Sequence, residues 1–164
     1  NYIVENALSW EPDYLYWVDD DMFFGNDIVE RLLACKKDFV CSLMFTKVVP
    51  FQPTMKKIVG DNINSFNNYV DYPQNAVFEI AACGFASTLV HRRVFEDLQI
   101  QNDFGTHWFE NGDYSEDIDF CLRAREKGHK IWCDSSVKTR HIGGIGVGEE
   151  NWLYWKEHPD ARVV

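Results

Sequence analysis

The stretch Tyr14-Leu15-Tyr16-Trp17-Val18-Asp19-Asp20-Asp21 runs from an unbroken apolar and aromatic segment straight into three aspartates. Apolar density without polar alternation is the pattern of a strand covered on both faces, as in a parallel sheet. Downstream, Asn26 reads as the N-cap of a helix over residues 27–34, with Ile28, Leu32, Val29 and Leu33 toward one face. Residues 39–45, FVCSLMF, read as a second buried strand. Strand, helix and strand in that order predict a βαβ unit, and for the whole chain an α/β fold with a mostly parallel sheet flanked by helices. Such sheets bind ligands beyond the carboxyl ends of their strands, where the three aspartates would sit.

Outward from this unit, residues 2–10 read as an amphipathic helix, and residues 46–75, with Pro50, Pro53 and Pro73, as an irregular excursion or small hairpin. Residues 85–90 read as a strand and 91–98 as a short helix. A polar, aromatic loop over 99–114 leads to Ser115, the expected N-cap of a helix over 116–127 that Gly128 stops. Residues 130–133 predict another strand. His141, a loop containing Gly143, Gly144, Gly146 and Gly148, and an amphipathic helix over 149–158 complete the chain.

With 164 residues, 46% of them hydrophobic, the chain can bury one sizeable core, and residues 1–164 are expected to form a single domain. A formal charge of -10 opposes nucleic acid as a partner, and a phosphorylated ligand would need a cation beside it. No apolar run reaches the length of a membrane span and no signal pattern opens the chain, so a cytoplasmic protein without a transmembrane segment is expected. The cysteines at 35, 41, 83, 121 and 133 are odd in number and lack CxxC spacing, which predicts reduced, mostly buried thiols. The chain begins at Asn1, already inside a helical pattern, and is expected to be a fragment.

Three places carry candidate chemistry. Adjacent carboxylates at Asp19, Asp20 and Asp21 repel one another, and a hard dication such as Mn²⁺ or Mg²⁺ among them, bridging to phosphate, relieves that repulsion. A solvated turn is the plainer alternative. Glu116, Asp117 and Asp119 open a helix, where the dipole alone favours carboxylates, but such a carboxylate can also take a proton from a sugar hydroxyl. His141 follows a strand expected to run beside the first, so its imidazole could complete the coordination that Asp21 begins. The glycines from Gly143 to Gly148 could act as a hinge or lid, or approach phosphates through backbone N–H groups. Trp108, Phe109, Trp152 and Trp155 are candidates for stacking on sugars, with core packing the alternative.

In their order, the segments YWVDDDMFF (16–24), CGFASTLVHRRVFEDL (83–98) and SEDIDFCLRAREKGHKIWCDSSVKTRHIGG (115–144) resemble the GT-A glycosyltransferases, especially the inverting family 2 group. The resemblance implies a Rossmann-like GT-A domain of which this chain is the C-terminal two-thirds, without the strand and helix that hold the nucleobase. It implies a metal-dependent transfer, with inversion, from a UDP- or GDP-sugar to a saccharide or other hydroxyl acceptor. Asp19, Asp21 and His141 would hold Mn²⁺ or Mg²⁺, Asp117 would be the general base, and Glu116 would help hold the acceptor. Asp20, Cys83, Gly84, Gly143 and Gly144 would lie toward the donor, and Trp108, Phe109 and Asp119 toward the acceptor. One alternative is a truncated GT-A domain that binds sugar or a partner without turnover. Another is a haloacid dehalogenase-type phosphatase with Asp19 as nucleophile, which the bulky Met22-Phe23-Phe24 opposes.

Overall fold

The apolar runs become a layered α/β structure, which the computed structural model describes for residues 1–60, 62, 65–102, 105–110, 113–142 and 146–159. In chain order the first half holds α1 (Tyr2–Leu8), β1 (Tyr14–Val18), β2 (Met22–Phe23), α2 (Ile28–Ala34), β3 (Phe39–Leu43), β4 (Lys56–Ile58), β5 (Phe66–Asn68) and β6 (Val77–Ile80). The second half holds β7 (Ser87–His91), α3 (Arg92–Asp97), β8 (Ile100–Asn102), β9 (Gly105–His107), α4 (Glu116–Glu126), β10 (Ile131–Lys138), β11 (Arg140–Ile142), β12 (Gly146–Val147) and α5 (Glu149–Glu157).

The main sheet has the order β1-β7-β3-β10-β6. Among the described residues β3 and β10 pair in parallel, whereas β1 with β7, β7 with β3, and β10 with β6 are antiparallel. The sheet is therefore mixed, and the expected mostly parallel sheet is corrected. β1 and β3 do run in one direction with α2 between them, but β7 inserts from far along the chain and separates them. A hydrophobic run reports how much a strand is covered and carries no record of its partner.

Burial follows the sheet order. Central β3 is buried at every residue, while β1, at the edge, is buried only at Leu15. Alternate side chains serve two cores. On one face Ile28 and Leu32 of α2 meet Val40, Leu89 and Val137. On the other, Phe39, Cys41 and Val90 join Phe95 of α3 and Phe120 and Ala124 of α4. All five cysteines are free thiols, four of them buried, as their spacing predicts.

Local signals held to different degrees. His91 caps α3 with its ring accepting from the Arg93 N–H at 3.1 Å, and Gly128, at φ +89, ends α4 in the left-handed region that glycine tolerates. Asp27, not Asn26, takes the N-cap position of α2. The excursion over 46–75 contains the hairpin β4–β5, and the loop over 99–114 contains the hairpin β8–β9. β6 carries no clear sequence signal and pairs at the sheet's far edge. Among the described residues no helix is long and apolar enough to cross a membrane.

Candidate functional site

Because β7 runs antiparallel to β1, the start of one lies beside the end of the other: Val18 faces Ser87, and the Asp19 N–H donates to the Ala86 carbonyl at 3.3 Å. Gly84, Phe85 and Ala86 are thereby brought to the aspartates. A tight turn follows, closed by the Met22 N–H donating to Asp19 O at 3.3 Å, and Met22 enters a second, three-stranded sheet of order β12-β11-β2. There His141 pairs with Met22, and the Ile142 N–H donates to Asp21 O at 2.6 Å. This small sheet delivers the imidazole. The expected route, along a strand beside β1, is corrected, since β10 lies between β3 and β6.

Asp19, Asp21 and His141 each offer one ligand atom, and these atoms lie within 4.8 Å of one another. His141 is only 7% exposed, and its Nδ1 and the Asp21 Oδ1 are buried without a hydrogen-bond partner among the described residues. An orphaned buried polar atom is costly. Two carboxylates and an imidazole that converge on one point fit a Mn²⁺- or Mg²⁺-sized ion, with oxygens for the hard cation and nitrogen favouring Mn²⁺. On Asp21 the neighbouring charge is Lys47, whose ammonium pairs with Oδ2 and holds the carboxyl below its usual range; the carboxylate in turn raises Lys47.

A cleft of about 520 Å³ joins this cluster to the start of α4, and Asp19, His141, Gly84, Phe109, Glu116 and Asp117 are among its walls. Ser115 occupies the N-cap position of α4, yet its hydroxyl donates to Asp117 Oδ1 at 2.5 Å instead of capping the backbone. The Ile118 N–H reaches the same oxygen at 3.0 Å. Asp117 Oδ2 is turned toward Gly84, where an added Cβ would approach it to 3.3 Å. Asp117 and Glu116 thus line the same cleft as Asp19 and His141, with one Asp117 oxygen tied and the other facing Gly84.

Several contributors were not read from the sequence. The Asn1 side chain accepts from the Trp108 and Phe109 N–H groups, both at 2.8 Å, and donates to the Phe109 carbonyl at 3.0 Å, which sets the Phe109 wall. Lys47 and Thr54 come from the excursion over 46–75, where no periodicity marks them, and Met44, Trp17 and Phe85 read simply as strand residues.

Other expected site residues stand elsewhere. Trp108 is 2% exposed, with its indole N–H donating to the Phe95 carbonyl at 2.9 Å, so it packs the core and the aromatic wall is Phe109. Trp152 is likewise buried and Trp155 packs against the core. The Cys83 side chain is fully buried, and Gly84 alone of that pair reaches the cleft. Asp20 is exposed and Asp119 half-buried, both outside the cleft wall. Gly143 and Gly144 lie outside the described residues; Gly146 falls in β12 and Gly148 at the N-cap of α5.

No family model matches this chain. Over 118 residues, 71% of the chain, it is 24% identical to the Rab proteins geranylgeranyltransferase component A of Candida albicans, of which it spans 18% of the length. Among solved structures, A197 from STIV superposes with a TM-score of 0.60 over 90% of this chain and 69% of that one, at 16% identity. That likeness is one of fold.

Proposed function

We propose that this chain carries the metal-binding and acceptor-activating part of a GT-A glycosyltransferase, similar to inverting family 2, that moves a sugar from a UDP- or GDP-sugar to an acceptor hydroxyl. One observation carries the proposal. Ligand atoms of Asp19, Asp21 and His141 converge within 4.8 Å, and Asp19 and His141 line one cleft with Asp117 and Glu116.

In this reaction the acceptor oxygen attacks the anomeric carbon and its proton passes to Asp117. The bond from that carbon to the diphosphate breaks with its electron pair leaving on the diphosphate, and configuration inverts. Asp117 fits the base role because Ser115 and the Ile118 N–H anchor Oδ1 and leave Oδ2 facing Gly84. Glu116 lies beside it to hold the acceptor, and Phe109 offers a flat apolar wall for a sugar ring. A dication held by Asp19, Asp21 and His141 would supply Lewis acidity toward the departing diphosphate.

The direct test is Mn²⁺ binding, read by electron paramagnetic resonance of the free ion. The wild-type chain is expected to bind one equivalent. Asp21→Ala and His141→Ala are each expected to weaken binding by more than the ~10–100-fold that loss of an outer-shell partner costs. Unchanged affinity in both variants would remove the proposed centre.

Gly84→Ala probes the surroundings of Asp117. A Cβ at 3.3 Å from Asp117 Oδ2 and 3.9 Å from Thr54 obliges the carboxylate to yield by a fraction of an ångström without displacing any core residue. Thermal unfolding is expected to change little, while transfer falls by roughly 10-fold or more, because small misplacements of a reacting group are amplified in the rate. Full turnover in this variant would show that Asp117 needs no such close approach.

A further inference from the structure

Lys47 lies on the excursion between β3 and β4, whose base is firmly closed. The Thr46 N–H donates to Gln52 O at 2.8 Å and the Thr54 N–H to Met44 O at 3.0 Å, with a bridge between Phe45 and Pro53. The Thr46 hydroxyl is satisfied inside the loop by the Val48 and Pro50 carbonyls, at 3.1 and 3.2 Å. Against that fixed backbone the Lys47 side chain is 50% exposed and reaches across to Asp21 Oδ2. Its ammonium feels Asp19 and Asp20 as well.

Neighbouring cations are engaged elsewhere. Lys138 pairs with Glu149, Arg140 with Glu150 at 3.1 Å, and the Lys56 ammonium donates to Asn68 Oδ1 at 2.7 Å. Among the described residues, Lys47 is the ammonium directed at the aspartate cluster. A dication coordinated by Asp21 and this ammonium would draw on the same small carboxylate, and two cations at such range repel. A lysine stem is long and its head is a compact donor with three N–H bonds, well suited to move from a carboxylate to a phosphate oxygen a few ångströms away.

We infer that Lys47 is a diphosphate-binding residue held in reserve on Asp21: a dication takes its place on that carboxylate, and the freed ammonium then binds the phosphate oxygens of the ligand that the cation bridges. The inference rests on the metal-centre reading above and adds a specific recognition residue to it. It requires opposite effects of one substitution. Lys47 opposes the bare cation and favours the diphosphate.

The test uses Lys47→Met, which keeps the apolar stem, and Lys57→Met as a control of equal charge, since Lys57 lies over the Tyr69 ring on β4. With Mn²⁺ alone, Lys47→Met is expected to bind the ion about 2- to 5-fold more tightly than wild type, the scale of an exposed ion pair removed. With pyrophosphate in excess Mg²⁺, read by calorimetry, the same variant is expected to bind about 10-fold more weakly, the scale of a lost charge-assisted hydrogen bond. Lys57→Met is expected to match wild type in both. If wild type binds Mn²⁺ and Lys47→Met changes neither affinity, or Lys57→Met changes them equally, the inference is overturned while the metal centre stands. Failure of wild type to bind pyrophosphate overturns it as well. If the folded wild type binds no Mn²⁺, the metal centre and the inference fall together.

Discussion

Asp117→Asn is expected to lower sugar transfer by roughly 10²- to 10⁴-fold, the usual worth of a positioned general base, with Mn²⁺ and diphosphate affinities unchanged. The amide keeps the size and shape of the carboxylate but cannot take the acceptor proton. Its oxygen can still accept from Ser115 Oγ and the Ile118 N–H, so the start of α4 keeps its geometry. Asp117 belongs to α4 and stands outside the Asp19, Asp21 and His141 group, which comes from the turn after β1 and from β11, and that is why binding and turnover are expected to separate in this variant. Single-turnover transfer alongside a binding isotherm checks both halves. Turnover within a few-fold of wild type would exclude Asp117 as the base. Loss of cation binding in the same variant would place its carboxylate in the metal centre instead.

Phe120→Ala is expected to cost about 3–5 kcal/mol of folding stability, against a total of about 5–15 kcal/mol for an ordinary domain. Phe120 is fully buried on α4, one turn beyond Asp117. Its ring meets Phe85 at 5.3 Å, Phe95 at 5.2 Å, Phe39 at 6.1 Å and, nearly parallel at 22°, Phe109 at 4.9 Å. Truncation removes one ring from a cluster whose remaining members belong to different elements and cannot close the gap together. Urea unfolding checks it, with a lower midpoint and a similar slope expected. Phe23→Ala, at a residue 62% exposed on β2, is expected to change stability by less than about 0.5 kcal/mol. A loss below about 1 kcal/mol for Phe120→Ala would show that the aromatic cluster is not the core of the fold. The same nest reaches the cleft, because Phe109 both stacks on Phe120 and lines it.

Much of the local structure was legible because it depends on neighbours a few residues apart. The run 14–18, the helix after Gly25, the helix opened by Ser115 and stopped by Gly128, and the buried strand starting at Phe39 follow from periodicity and capping. The scattered cysteines gave free thiols for the same reason, since spacing alone argued against pairing. Chemical type was equally visible in Asp19, Asp21 and Asp117, each at or beside an element's end, and in His141, which sits mid-strand in β11.

Partnership was not legible. Nothing in residues 87–91 announces that β7 inserts between β1 and β3 and makes the sheet mixed, because strand pairing is settled by which arrangement buries both faces of every strand at once. The two-residue strand β2, too short to carry a pattern, pairs with β11 and so sets His141 beside Asp21. Trp108, a stacking candidate by type, and Cys83, placed toward the donor by the resemblance, are core by position. Lys47 carried no signal at all, and became notable only when a closed loop aimed its ammonium at Asp21. The sequence by itself determined the main helices and buried strands and which residue types could bear chemistry. The tertiary structure alone decided which of them meet, since long-range pairing depends on the burial of the whole chain, and no local window contains that information.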